Sequence, residues 1–340
     1  MYSVFPEEMM NKDYAPIGVI GLGNMGCAVA HVFASAGHSV TGWEYRGEVV
    51  EEINSRRRNS VYLPGVALDE RLRATGEVTR VLRNAELLFV ALPAAYIRPV
   101  LGPHTADSPP EQVVINLSKG IEPNTLRTAT DVLRELFCGH EVTVMSGPSI
   151  ADEFARGVPC KVLVSGGSDD AREKVRVVTQ TSAFRVQISD DAAGVEWGGI
   201  LKNIYAIGLG LISGSGIRSV NFRAAFLTSA LDEMSELIRL LGGRKETVYS
   251  VAGLGDLIAT ALSAQSHHRT FGELLARGRS QSEIKEKMQG LPEGCRVLAP
   301  VCALARDRGQ VLPIATGIHA VIDGAASPKE FIDSLFRPDR

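Results

Sequence analysis

An α/β fold class is predicted for this chain by three observations. Val19–Val40 reads VIGLGNMGCAVAHVFASAGHSV, an apolar run, a glycine turn and an alanine-rich stretch. Strand-like and helix-like segments alternate through the first half of the chain. Near residue 190 that alternation gives way to helical periodicity. Together they predict an N-terminal Rossmann-type dinucleotide-binding domain over 14–190. A C-terminal all-helical domain over 191–340 would carry substrate and catalysis. A chain of 340 residues is long enough for both.

The first strand is Ile17–Ile20, and the glycines after it follow the pattern G-x-G-x-x-G. Gly21 permits the tight turn, Gly23 lets a pyrophosphate approach the backbone, and Gly26 lets the helix pack closely on the strand. The helix, Ala28–Ala36 closed by Gly37, would offer free N–H groups to phosphates at its start. A plain structural turn can carry the same glycines, so the second strand matters. Ser39–Trp43 ends at Glu44, roughly 20 residues past the glycines, where an acid binds a ribose 2′-hydroxyl. A carboxylate there repels a 2′-phosphate and favours NAD. Arg46 would favour a 2′-phosphate, so NADP stays open.

Further strands are expected at Leu87–Ala91, Gln112–Asn116, Thr143–Met145 and Cys160–Ser165, as in a parallel sheet, with helices such as Thr125–Leu136 and Ala171–Thr181 between them. Three turns following strands, at Ala91–Pro93, Leu117–Glu122 and Ser146–Ser149, are candidate site walls, because ligands of open α/β sheets bind at the carboxyl ends of the strands. Beyond residue 190, helices are expected at Val195–Ile212, Phe222–Leu241, Phe271–Ala276 and Cys295–Asp307.

A net charge of −3 gives no general electrostatic reason to bind nucleic acid or an anionic membrane. The short run Arg56-Arg57-Arg58 reads as a solvated face. Cys27, Cys138, Cys160, Cys295 and Cys302 form no metal-ligand spacing, so no metal is expected. Their odd, scattered distribution fits reduced thiols in the cytoplasm. Glu7, Glu8, Lys12 and Asp13 precede any apolar run, unlike a signal peptide. The most apolar stretch, Ile200–Ile212, is too short and is broken by Lys202 and Asn203, so no membrane span is expected.

Lys202 is the strongest chemical signal. It lies in GGILKNIYAIG, where burial of an unpaired ammonium is expensive, although a surface lysine can snorkel from such a face. Gly198 and Gly199 share its helix face and would leave room for a ligand. In AGLGDLIAT, Asp256 and Thr260 are spaced i, i+4, and a buried Asp would partner a buried Lys.

The chain resembles the NAD(P)-dependent glycerol-3-phosphate dehydrogenase family over roughly Ile17 to Ile322. The resemblance rests on an ordered series: the glycine turn, NSVYLPG (Asn59–Gly65), SKGIE (Ser118–Glu122), SGPSIADEFARGVP (Ser146–Pro159), GVEWGGILKNIYAIG (Gly194–Gly208), NFRAA (Asn221–Ala225), AGLGDLIAT (Ala252–Thr260) and PEG (Pro292–Gly294). It implies interconversion of dihydroxyacetone phosphate and sn-glycerol 3-phosphate with NAD(H), NADP being possible. It implies that Lys202 is the catalytic lysine, oriented by Asp256, with Asn203 and Thr260 on the same wall. Lys119, Gly147 and Ser149 would approach substrate and nicotinamide. Asn24 and Met25 would contact the cofactor phosphates, and Ala151 and Glu293 its other end, with Pro93, Lys119 and His267 also counted as cofactor contacts. Ser266 and the residues after it would form the phosphate pocket. There the family usually reads S-R-N-R, and this chain reads Ser266-His267-His268-Arg269. A histidine offers no fixed guanidinium fork. Either a histidinium, Arg269 or Arg223 holds the phosphate, or the substrate is another small ketone or ketose phosphate. A non-catalytic NAD-binding regulator is a third reading, which the retained lysines and Asp256 oppose. A homodimer follows by analogy. Lys119 would lower the Lys202 pKa and Asp256 would raise it, with the net direction open.

Overall fold

The computed structural model describes residues 14–263, 266–288 and 290–335. Glu7, Glu8, Lys12, Asp13 and the last residues of the expected helical domain lie outside the described residues. The chain forms two compact units. One runs up to Ser118 and resumes over Ala129–Ala192. The other comprises Lys119–Thr128 and the chain from Ala193 onward.

The first unit is built on a sheet of β1 (Ile17–Ile20), β2 (Val40–Trp43), β3 (Leu72–Thr75), β4 (Leu87–Val90), β5 (Val113–Asn116), β6 (Glu141–Ser146), β7 (Cys160–Ser165) and β8 (Phe184–Ile188), in the order β3-β2-β1-β4-β5-β6-β7-β8. The central strands IGVI, LLFV and VVIN are buried along their whole length. This is the requirement of a sheet covered by helices on both faces. The strand order reverses beside β1, the point at which doubly wound sheets bind ligands. Strands β1 to β6 are parallel, but β7 runs antiparallel to β6, so the expectation of a parallel sheet holds only for part of it. Strands β3 (LRAT) and β8 (FRVQI) were not anticipated. Both lie at sheet edges and carry arginines, which weakens the apolar signal.

Around this sheet pack α1 (Asn24–Ser35), α2 (Gly47–Arg56), α3 (Val78–Asn84), α4 (Ala94–Leu101), α5 (Ala129–Leu136), α6 (Ala151–Ala155) and α7 (Asp169–Thr179). Two apolar clusters result. One contains Val19, Phe33, Phe89 and Ile115; the other contains Ile20, Leu88, Val90, Val114 and Leu133. Successive strand residues thus enter opposite clusters, as strand alternation demands. The turn after β1 is tight. Gly21 has φ +96°, and a Cβ at Gly26 would stand 1.8 Å from the Gly21 carbonyl oxygen. Helix α1 therefore begins at Asn24, earlier than the expected Ala28, and starts against the strand end.

The second unit contains α8 (Ala192–Gly214), α9 (Val220–Leu240), α10 (Asp256–Leu262), α11 (His267–Ala276), α12 (Gln281–Lys287), α13 (Glu293–Asp307), α14 (Pro313–Ile322) and α15 (Pro328–Ser334). Helix α8 is buried on nearly every side, which explains its apolar sequence without a membrane. No helix among the described residues is long and apolar enough to cross a membrane. Its Ile200, Ile204 and Tyr205 form the core with Phe226, Leu237, Phe271, Val297 and Ile318.

Glu233 of α9 is a buried carboxylate in this core. It accepts hydrogen bonds from the N–H groups of Ile314 (2.6 Å) and Ala315 (3.0 Å) and from the Tyr205 hydroxyl (3.2 Å). Helix α14 has no capping side chain of its own, so Glu233 caps it from another helix. Burial pushes this carboxyl from 4.5 up to about 7, against the three donors. A raised folded-state pKa means that stability from this group is complete below about pH 4.5 and is lost as pH rises through 7. Relative to Glu233→Gln, the native protein should lose about 2–3 kcal/mol between pH 5 and 7.5 and change little above it. Paired urea titrations across that range check this; a native protein that gains relative stability with pH would contradict it.

Candidate active site

In the second unit, Asp256 opens α10 and is 3% exposed. Its Oδ2 accepts from Lys119 Nζ at 2.5 Å, and its Oδ1 lies 3.2 Å from Lys202 Nζ. Lys202 Nζ also donates to Thr260 Oγ1 at 2.7 Å. Asp256 and Thr260, one helical turn apart, thus present both acceptors to the same ammonium. Asn203 Nδ2 donates to the Lys119 carbonyl at 3.5 Å. The structure brings together Lys119, Lys202, Asn203, Asp256 and Thr260.

Local structure explains how. Lys119 starts the Lys119–Thr128 excursion, which closes on itself through an Ile121–Thr128 bridge and a Glu122 N–H bond to the Arg127 carbonyl. Asp256 follows a π-helical turn, Val251–Gly255. A Cβ at Gly198 would lie 3.0 Å from the Ala252 carbonyl oxygen of that turn. The space beside Gly198 is therefore filled by backbone. The expectation that it leaves room for a ligand is corrected: it allows the close approach that delivers Asp256 to Lys202.

The Lys202 pKa is lowered from the usual lysine value. Burial is the main cause; the Asp256 carboxylate opposes it, and the Lys119 ammonium reinforces it. The direction that spacing left open is therefore downward.

Ser266 caps α11, its Oγ accepting from the Arg269 N–H. His267 is exposed on the first turn. His268 Nε2 accepts from the Gly294 N–H at 3.1 Å. Desolvation, with the Lys202 ammonium and His267 adding to it, pushes the His268 ring down to about 3. His268 is thus a neutral acceptor, which disfavours one of the alternatives, His268 holding a phosphate as imidazolium. The Arg269 guanidinium donates to the Ala261 (2.8 Å) and Ser263 (3.1 Å) carbonyls and pairs with Glu273. It is engaged by protein groups, so holding an anion, one of the alternatives for the phosphate, would require it to leave them. Arg223 likewise donates to Ser213 Oγ and to the Ile217 carbonyl. Glu293 packs over Gly120, next to Lys119.

In the first unit, the remaining candidates follow strand ends. Gly21, Gly23, Asn24, Met25 and Gly26 follow β1, and Glu44 follows β2. Pro93 precedes α4, Gly147 and Ser149 follow β6, and Ala151 opens α6. The Ser149 hydroxyl donates to the Gly147 carbonyl at 3.3 Å. Met25 packs against the core. The start of α1 suits a dinucleotide pyrophosphate: its N-cap is Gly23, no side chain caps it, its first turn carries no acid, and a Cβ at Gly23 would meet nothing within 4 Å. Glu44 is 3% exposed, and its Oε1 accepts from both the backbone N–H and Nε of Arg46 at 3.2 Å. The carboxylate expected to meet a ribose is thus engaged by the neighbouring arginine.

Residues of NSVYLPG were quoted without a role. Asn59 Nδ2 donates to the Leu22 carbonyl at 2.9 Å and braces the glycine turn. The Tyr62 ring lies 4.5 Å from the Arg46 guanidinium, with Tyr45 at 5.4 Å. An aromatic near β2 carries no such meaning until the chain is folded. Among the described residues, no group of three or more His, Cys, Asp or Glu is placed to hold a metal.

The chain matches the NAD-dependent glycerol-3-phosphate dehydrogenase N-terminus over residues 16–172 and the C-terminus of that family over 191–333. It belongs to the NAD-dependent glycerol-3-phosphate dehydrogenase family. It is 36% identical over 321 residues to "Glycerol-3-phosphate dehydrogenase [NAD(P)+]" of Carboxydothermus hydrogenoformans, covering 94% of this chain and 95% of that protein. A relative of the same name in Rhodospirillum rubrum is 36% identical, covering 97% and 95%. The crystal structure of glycerol-3-phosphate dehydrogenase from Coxiella burnetii superimposes with a TM-score of 0.89 at 29% identity, covering 95% of this chain and 99% of that one. A ketopantoate reductase from Ralstonia eutropha, at 15% identity and a TM-score of 0.59, shares the fold alone.

Within this glycerol-3-phosphate dehydrogenase family member, two ammonium groups contact one buried carboxylate. Asp256→Asn should lower the unfolding free energy by about 3 kcal/mol, as expected when a buried ion pair loses one partner. Urea denaturation measures it; an unchanged midpoint would mean that water, not Asp256, stabilises the lysines.

Proposed function

We propose that the protein reduces dihydroxyacetone phosphate to sn-glycerol 3-phosphate, and runs the reverse oxidation, with a nicotinamide dinucleotide. The observation that carries this reading is the Lys202 ammonium, buried, lowered in pKa and held by Asp256 and Thr260. The family membership supports the substrate, and the uncapped start of α1 supports the cofactor.

The bound cofactor supplies the hydride that reaches the ketone carbon. Negative charge then develops on the carbonyl oxygen. Lys202 is the group that stabilises this oxygen and donates the proton that completes the alcohol. An ammonium with a lowered pKa gives up its proton more readily near neutral pH. Lys119 raises the local positive charge, and Asp256 is the positioning residue that fixes both lysines. Asn203 orders the Lys119 backbone. In the first unit, Gly21, Gly23, Asn24, Met25 and Gly26 would hold the pyrophosphate, and Arg46 with Glu44 the adenosine ribose. By analogy we extend the reading to a homodimer, and the five free cysteines support a cytoplasmic location.

A second reading, reduction of a different small ketone, rests on His267 standing where the family usually has an arginine and on the engagement of Arg269 by backbone carbonyls. Oxidation of NADH with dihydroxyacetone phosphate separates the two, with other ketose phosphates and hydroxyketones as comparison. Lys202→Ala should reduce kcat about 100-fold or more while leaving NADH affinity nearly unchanged. Near-normal turnover would remove Lys202 from the chemistry.

Cofactor choice is a separate expectation. Since Glu44 is engaged by Arg46, the guanidinium is the group available to a 2′-phosphate. Arg46→Ala should lower kcat/KM for NADPH about tenfold, a single charge-assisted contact, and alter the NADH value much less. Equal losses for the two cofactors would show that Arg46 does not read the 2′ position.

A further inference from the structure

His268 departs from the family pattern, and its imidazole is used in a way that pattern does not suggest. Helix α13 begins at Glu293 after Pro292, with no side chain of its own capping it. The first N–H groups of any helix lack intrahelical acceptors. The Gly294 N–H finds one in His268 Nε2, at 3.1 Å, from the first turn of α11. The contact is tightly built. A Cβ at Gly294 would stand 2.9 Å from His268 Cδ2 and 3.0 Å from the Asn203 carbonyl oxygen. Gly294 is therefore wedged between the imidazole and the α8 backbone one residue from Lys202. The residue before it, Glu293, packs on Gly120, one residue from Lys119.

We propose that His268 is a positioning residue: by capping α13 it fixes Glu293–Gly294, and so ties the start of α11 to the Glu293 carboxylate and the lysine site. This inference rests on the dehydrogenase reading, in which Glu293 faces the cofactor and Ser266–Arg269 face the substrate. The bond needs a lone pair on Nε2, so the proton sits on Nδ1 and the ring is neutral. Its neighbours favour that form: Lys202 on α8 and His267 on α11 both disfavour an imidazolium. The role therefore differs from that of a phosphate-binding cation. Because one hydrogen bond joins the two segments, order imposed on one is felt by the other, and the coupling is reciprocal.

The test compares His268→Leu, which fills similar space without an acceptor, with His268→Gln, which keeps one. NADH affinity is read by fluorescence titration of the full-length protein, with kcat and KM measured alongside. His268→Leu should weaken NADH binding about fivefold to tenfold, the usual loss of one capping bond. His268→Gln should recover most of it. Leu and Gln variants that bind NADH as the native protein does would overturn the proposal. So would equal loss in both, which is the signature of simple packing. A measurement on the native protein covers the case in which Leu does not fold. Nitrogen-15 resonances of His268 should report the Nδ1–H tautomer and stay constant from pH 5.5 to 8.5, and a ring titrating in that window would overturn the assignment. Failure of the dehydrogenase reading looks different: NADH binds, the Leu and Gln variants still differ, and dihydroxyacetone phosphate is not reduced.

Discussion

Two ammonium groups, Lys119 and Lys202, share the single buried carboxylate of Asp256. Taking the Asp256 carboxylate out of water is costly, and the two ammonium groups beside it offset that cost. On the proposed function, Lys202 gives its proton to the ketone oxygen as that oxygen gains electrons. The pairing that fixes Lys202 in the fold would then also position it for the reaction. Helix α8 is apolar on nearly all sides because it is buried on nearly all sides, and it carries Lys202 to the carboxylate. The π-helical turn before Asp256 packs where Gly198 leaves no side chain, so the carboxylate can reach both lysines.

Helix N-termini are treated according to their task. The start of α14 takes the Glu233 carboxylate from α9, and the start of α13 takes the His268 imidazole from α11. Both caps come from a different helix, so each joins elements distant in sequence. The start of α1 has neither a side-chain cap nor an acid in its first turn, while Asn59 holds the loop that leads into it. Its exposed N–H groups remain suited to an anion, and the brace comes from outside the turn.

The fold was largely legible because its strongest signals are local. The IGVI, LLFV and VVIN strands are apolar throughout, and glycine spacing marks the β1–α1 turn. Edge strands β3 and β8 escaped notice since a short strand interrupted by an arginine resembles a loop. The antiparallel turn at β7 is set by tertiary pairing, which no periodicity records. In the site, Lys202 and Asp256 stood out, the first as a charge in an apolar run. Their mutual geometry with Lys119 did not, because 137 residues separate Lys119 from Asp256. Gly198 was misread for the same reason: a missing side chain shows that space is needed, not what fills it. Tyr62 and Asn59 became interpretable only once the loop that carries them met Arg46 and Leu22.

The His267-His268 pair shows the limit of transferring roles by position. Read by position, His267 stands for an arginine and His268 for an asparagine, and one of them as a histidinium was among the candidates to hold the phosphate. The ring of His268 is instead kept neutral by its surroundings, and its lone pair is taken by Gly294. Arg269, the adjacent permanent cation, is held by two backbone carbonyls and Glu273. Of these three residues, His267 is the one left exposed beside the cap of α11. On the proposed function, charge at the end of the substrate remote from the reacting ketone would be met by weaker and more adaptable groups than a guanidinium fork. Binding energy from that end would orient the ketone at Lys202. A looser grip there would leave more of the positioning to the lysine–aspartate cluster.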